Sequence, residues 1–150
     1  MTITRKINIY KVNFGKNVQI IEPVNLYECS IGDNSFIGPF VEIQKDATIG
    51  NNTRVQSHSF ICSLVKIGSE CFIGHGTMFT NDKFEKGGPS GKNYFRPTII
   101  GNKVSIGSNS TILPVKICDK VVIGAGSVVT KDIEKPGIYC GNPAKFLRSL

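Results

Sequence analysis

The chain has 150 residues, 40% of them hydrophobic, with 16 Gly, no Trp and a formal charge of +7. One domain is expected at this length. The opening MTITRKINIY lacks the apolar run of a secretion signal and no stretch is long enough to span a membrane, so a cytoplasmic location is expected. The positive balance favours acidic ligands such as phosphates, nucleotides or CoA. The chain has no dense Lys/Arg run, zinc spacing or aromatic RNA-binding motif, which argues against nucleic acid. Its five cysteines form no CxxC pair and read as free thiols.

Residues 1–30 read as an opening coil. Val12, Val18 and Val24 are six apart, and the seven-residue step from Val24 to Ile31 suggests a bulge or a wider corner. From Ile31 an aliphatic or aromatic residue returns every sixth position as far as Phe79, and a small or β-branched residue stands four places after each of the first eight. Helices repeat near 3.6 and amphipathic strands at 2, so a sustained period of six predicts a parallel β-solenoid. Three hexads per coil make a triangle in which residues eighteen apart stack, with Gly-Asn-Asn and Gly-Asp-Asn runs at the corners.

The hexads stop after Phe79. Residues 80–97, TNDKFEKGGPSGKNYFRP, form an eighteen-residue insertion with three Gly, two Pro, three Lys and one Arg. Loops of this length in a compact fold are typically functional or disordered, and the Thr-Asn-Asp base and Tyr-Phe-Arg exit favour function. Hexads resume over residues 98–129, with one short unit at 112–116 that pinches the coil near Pro114. In the tail, residues 130–150, Asn142-Pro143 fits a helix start and predicts a short helix over 143–150.

The hexads over 31–79 and 100–129, IGAGSVVTKDI at 123–133 and GNPAK at 141–145 resemble the hexapeptide-repeat acyltransferases. QSHSFIC at 56–62 and IGHGTMFTNDKF at 73–84 are most similar to the nucleotide-linked amino-sugar N-acetyltransferases of that family. The resemblance implies an all-β, left-handed parallel β-helix, an exception to the right-handed crossover rule. It further implies a homotrimer with acetyl-CoA in the cleft between adjacent chains, acting on a dTDP- or UDP-linked amino sugar in surface polysaccharide biosynthesis. The chain departs from the family over residues 112–118, ILPVKIC, where the Gly common in the family's ILPG-V-K-IG segment is missing and Cys118 stands where Gly is common, near the CoA.

Acyl transfer to an amine needs an oriented neutral amine, donors for the developing oxyanion and an acceptor for the proton. Only two histidines are present, His58 and His75, seventeen apart and so close together on successive coils of one edge. His75 is expected to face outward at the base of the loop, where imidazole can take a proton near neutrality. Asn81 and Asp82 are candidates to hold the amine, and in a variant without a protein base the departing CoA sulfur takes the proton. His58, Lys83 and Arg96 are candidate contacts to the nucleotide sugar. Gly124, Ala125 and Gly126 are candidates to flank the pantetheine arm, with Lys131, Lys145 and Arg148 for the CoA phosphates. Three other functions fit less well. A sugar O-acetyltransferase would need a true base, and a γ-type carbonic anhydrase needs three histidines. A non-catalytic β-helical protein has no use for the loop.

Overall fold

The computed structural model describes residues 1–150, and all of its long-range pairing follows from one requirement. A two-residue strand cannot satisfy its own N–H and C=O groups, so each must bond to the strand one coil away. Every coil therefore lays its three short strands against those of its neighbours, and three parallel sheets result. Sheet A has seven strands, from Ile9–Tyr10 to Val128–Val129, sheet B six and sheet C eight. Over the regular coils the pairing offset is eighteen, as in Ile31 with Ile49 and Ile43 with Ile61.

The leading aliphatics point inward and stack. Ile37, Ile43, Val55, Ile61, Ile73, Ile106, Ile112 and Ile123 are all at most 1% exposed and belong to one continuous core. The small positions carry buried hydroxyls that are satisfied by turning back to a corner carbonyl. Ser35 Oγ donates to Gly50 O at 2.8 Å, Thr53 Oγ1 to Gly68 O at 2.9 Å and Ser59 Oγ to Gly74 O at 2.8 Å.

The edge between sheets B and C is held by a ladder of side chains. Asp33 Oδ1 accepts the Lys16 N–H at 2.7 Å, and Asn51 Oδ1 accepts that of Asp33 at 2.8 Å. Ser69 Oγ accepts from Asn51 at 3.0 Å, Asn102 Oδ1 from Ser69 at 2.8 Å and Asp119 Oδ1 from Asn102 at 2.7 Å. Glycine precedes this column because there is no room for more: a Cβ on Gly68 would lie 2.5 Å from Gly101 O and 2.6 Å from Asn102 Oδ1.

Two expectations need correction. In the opening coil Val12, Val18 and Val24 do not lead. Phe14, Ile20 and Leu26 pair with Ile31, Ile37 and Ile43, and the valines fall in the column of small residues. The irregular step is therefore a five-residue one from Leu26 to Ile31, a tighter corner and not a wider one. The tail forms no helix. Gly137–Cys140 and Lys145–Arg148 make an antiparallel hairpin on the end of sheet C, with Phe146 edge-on to Tyr139 at 5.5 Å. Eight residues make a marginal helix, whereas a strand caps an otherwise open sheet edge. No helix is long and apolar enough to cross a membrane.

Gly68→Ala is expected to lower stability by about 1–3 kcal/mol through overpacking of backbone against backbone. A urea melt of the variant beside wild type measures it, and an unchanged midpoint would contradict the ladder's tightness.

Candidate functional site

The candidate residues fall on two edges of the prism. At the edge between sheets C and A, the corner residues Phe40, His58, Gly76, Asn109 and Gly126 form a column, all with φ between 59° and 70°. The backbone binds this column coil to coil: Gly76 N–H donates to Ser57 O, Asn109 N–H to His75 O and Gly126 N–H to Ser108 O. His58 sits in the left-handed conformation with its ring stacked on Phe40, centroids 4.9 Å apart. His75 is exposed, and its Nδ1 lies 2.8 Å from Ser57 Oγ, the residue eighteen places earlier. When Nδ1 carries the proton it donates to that hydroxyl, and Nε2 is then an open acceptor facing solvent.

Gly124, Ala125 and Gly126 occupy the same edge two coils on, so the candidate CoA groove and His75 are in line. Their small size has separate causes. A Cβ on Gly124 would lie 2.9 Å from Cys140 Cβ, whereas Gly126 faces open space and needs glycine for its φ of 70°. Lys131, Lys145 and Arg148 are exposed in the tail beyond.

The loop leaves from the other edge, between sheets A and B. Asn81 begins it, and its Nδ2 donates to Ser63 Oγ at 2.9 Å, again across eighteen residues. That bond fixes the amide orientation and turns Oδ1 into the free end. Arg96 N–H donates to Asn81 O at 2.8 Å and closes the loop's base. Asp82 is spent on the loop itself: Oδ1 accepts the Phe84 N–H at 2.8 Å and Oδ2 that of Ser90 at 3.4 Å. Arg96 pairs with Glu85 at 2.9 Å, both more than half exposed, so the pair adds little stability. Lys83 is exposed and unpaired.

Beside the loop runs a cleft of about 250 Å³ lined by Phe60, Cys62, Phe79, Phe84 and Phe95 together with Gln44, Thr80, Asn81 and Asp82. Burial pushes the Cys62 thiol up to about 12 and the Cys29 thiol to about 11, so neither is a nucleophile near neutrality. His75 precedes the sheet A strand Met78–Phe79 and the loop leaves after it. Contrary to expectation, His75 is therefore on the corner before that strand and not at the base of the loop. Ser57 and Ser63 were not singled out from the sequence, although the eighteen-residue offset points to both.

The repeats match family models described as bacterial transferase hexapeptide, over residues 28–63, and hexapeptide repeat of succinyl-transferase, over 97–131. The bifunctional protein GlmU of Clostridium botulinum is 41% identical over 107 residues, 71% of this chain but 21% of that one, so the chain spans about a fifth of such relatives. AntD, an N-acyltransferase from Bacillus cereus solved with dTDP-4-amino-4,6-dideoxyglucose and coenzyme A, is 26% identical with a TM-score of 0.78. That match covers 93% of this chain and 83% of AntD. A hexapeptide-repeat acetyltransferase of Vibrio cholerae solved with acetyl coenzyme A is 26% identical, with a TM-score of 0.69 over 79% of this chain and 69% of that one. The chain belongs to the hexapeptide-repeat transferases.

The buried thiols carry a pH signature. Their folded values lie above the ordinary value of 9.0, so they stabilise the fold fully below pH 9 and lose that contribution as pH rises toward 11 and 12. Stability is expected to fall over that window, less steeply in Cys62→Ala, as read by melts at pH 8, 9 and 10. A flat profile would contradict the assigned burial.

Proposed function

We propose that this chain is an acetyl-CoA-dependent N-acetyltransferase acting on a dTDP- or UDP-linked amino sugar of surface polysaccharide biosynthesis. The carrying observation is Asn81, a residue of the cleft wall whose amide nitrogen is pinned by Ser63, which leaves Oδ1 as a free acceptor. A neutral amine donates an N–H to such an acceptor and keeps its lone pair for the carbonyl carbon. The similarity to AntD over 93% of the chain supports the same reading.

The site is completed between chains of a homotrimer. One chain supplies the edge with His75 and residues 124–126 along which acetyl-CoA lies, with Lys131, Lys145 and Arg148 toward its phosphates. The next supplies Asn81 and the loop, where Lys83 faces the nucleotide diphosphate. Arg96 joins Lys83 only by leaving Glu85. His58 flanks the substrate, and Asp82 shapes the loop without touching the amine. In the reaction the amine nitrogen bonds to the thioester carbon and the carbon–sulfur bond breaks. The amine proton passes to His75 Nε2, and the CoA thiolate is released or protonated in turn.

Thiol release from acetyl-CoA against a panel of dTDP- and UDP-linked amino sugars, beside the matching hydroxyl sugars, tests this. Turnover is expected on amino sugars alone. Asn81→Ala should abolish it, and His75→Ala should lower kcat about 10²-fold or more. If His75→Ala leaves kcat intact, the proton goes directly to sulfur. Turnover confined to hydroxyl sugars, or none with no CoA binding, would overturn the proposal.

A further inference from the structure

A line of four hydrogen bonds crosses from sheet A to its seam with sheet B and ends on Asn81. Asn25 Nδ2 donates to Glu42 Oε2 at 3.2 Å, and Gln44 Nε2 donates to Glu42 Oε1 at 2.8 Å. Gln44 Oε1 accepts the Ser63 N–H at 3.3 Å, and Ser63 Oγ accepts from Asn81 Nδ2 at 2.9 Å. The five residues stand on successive coils and each is half-buried. Ser63 N–H donates to no main-chain carbonyl, so at this corner the Gln44 side chain takes over the coil-to-coil bond that backbone supplies elsewhere.

The line has one direction only. An ionised carboxylate can only accept and a backbone N–H can only donate, so Gln44 must turn Nε2 to Glu42 and Oε1 to Ser63. Ser63 O, 3.4 Å from Asn81 Nδ2, can likewise only accept, so Asn81 presents its nitrogen to Ser63 and keeps Oδ1 free. Glu42 is where the line is anchored, since it alone takes two side-chain donors. Without it the Gln44 amide is free to rotate, and the 3.3 Å bond to Ser63 is the longest of the four.

We propose that Glu42, two coils before Asn81, is a positioning residue for acyl transfer. It fixes the Gln44 amide, Gln44 fixes the Ser63 corner, and Ser63 holds the Asn81 side chain in the orientation that receives the acceptor amine. Glu42 acts through these residues and not on the substrate itself. This rests on the N-acetyltransferase reading and supplies the support of its site. A group held about 1 Å out of place costs on the order of 10²-fold in rate, so a loosened Asn81 is felt in kcat even though Asn81 is still present.

The test uses the full-length protein with Glu42→Leu, which removes the anchor, and Glu42→Gln, which keeps an oxygen for Gln44 while Asn25 turns its amide to match. Glu42→Leu should lower kcat on the amino-sugar acceptor about tenfold or more, and Glu42→Gln should restore it. The KM for acetyl-CoA should not move in either, because residues 124–126 lie on the other edge of sheet A. Gln44→Leu cuts the line one link on and should give the same loss, which keeps the test valid where Glu42→Leu does not fold. Combined with Ser63→Ala, the loss in Glu42→Leu should fall well short of the product of the two single losses, since both reach Asn81 through one residue. Multiplicative losses, wild-type kcat in Glu42→Leu, or no recovery in Glu42→Gln would overturn the proposal. NMR of the Asn81 side-chain NH₂ pair without substrate, assigned by its disappearance in Asn81→Ala, separates the two readings. A shift of that pair in Glu42→Leu and its return in Glu42→Gln, without turnover on any acceptor, upholds the line of bonds and overturns the transferase reading. An unmoved Asn81 signal overturns the positioning role whatever the turnover.

Discussion

The structure rests on backbone hydrogen bonding between coils. Strands of two residues cannot be stable alone, so the fold exists only as far as each coil can hand its N–H and C=O groups to the next. An offset of seventeen or eighteen residues meets that need around most of the chain. The aliphatic core, the satisfied hydroxyls and the side-chain ladder of Asp33, Asn51, Ser69, Asn102 and Asp119 follow from keeping that offset. Stability in such a stack is a sum of neighbour-to-neighbour terms, which is why both ends need special treatment. At one end the opening coil leaves Phe14 partly exposed, and at the other the hairpin folds back over sheet C.

The same stacking arranges the chemistry. Residues eighteen apart touch, so Ser57 orients His75 and Ser63 orients Asn81 without any dedicated loop. The geometry also separates. His75 shares an edge with Gly126, and Asn81 lies one face away, so a single prism presents the two on different edges. The loop supplies the aromatic wall, Phe84 and Phe95, that a two-residue strand cannot.

Much of this was legible in the sequence, for a physical reason. Period six, the triangular coil, the inward residues and the loop's limits each leave a mark repeated many times. Errors came where a residue fits two roles. Val12, Val18 and Val24 suit both the leading and the small column, so only the pairing of Phe14 with Ile31 reveals which one they occupy. In the tail, Asn142-Pro143 carries a local helix signal, but the open edge of sheet C is a non-local demand that outweighs it.

The five-residue steps from Ile9 to Phe14, Leu26 to Ile31 and Ile112 to Ile117 all fall on the edge between sheets A and B, where residues 80–97 also depart. The edge between sheets B and C is closed by glycine and its ladder, and the third keeps a constant left-handed corner. The prism thus has two rigid seams and one adjustable seam. Chain length can be taken out or added along that seam without disturbing the coil above or below. A scaffold of this kind can acquire a new recognition surface in a single insertion, and the position of that surface relative to the coils is settled in advance.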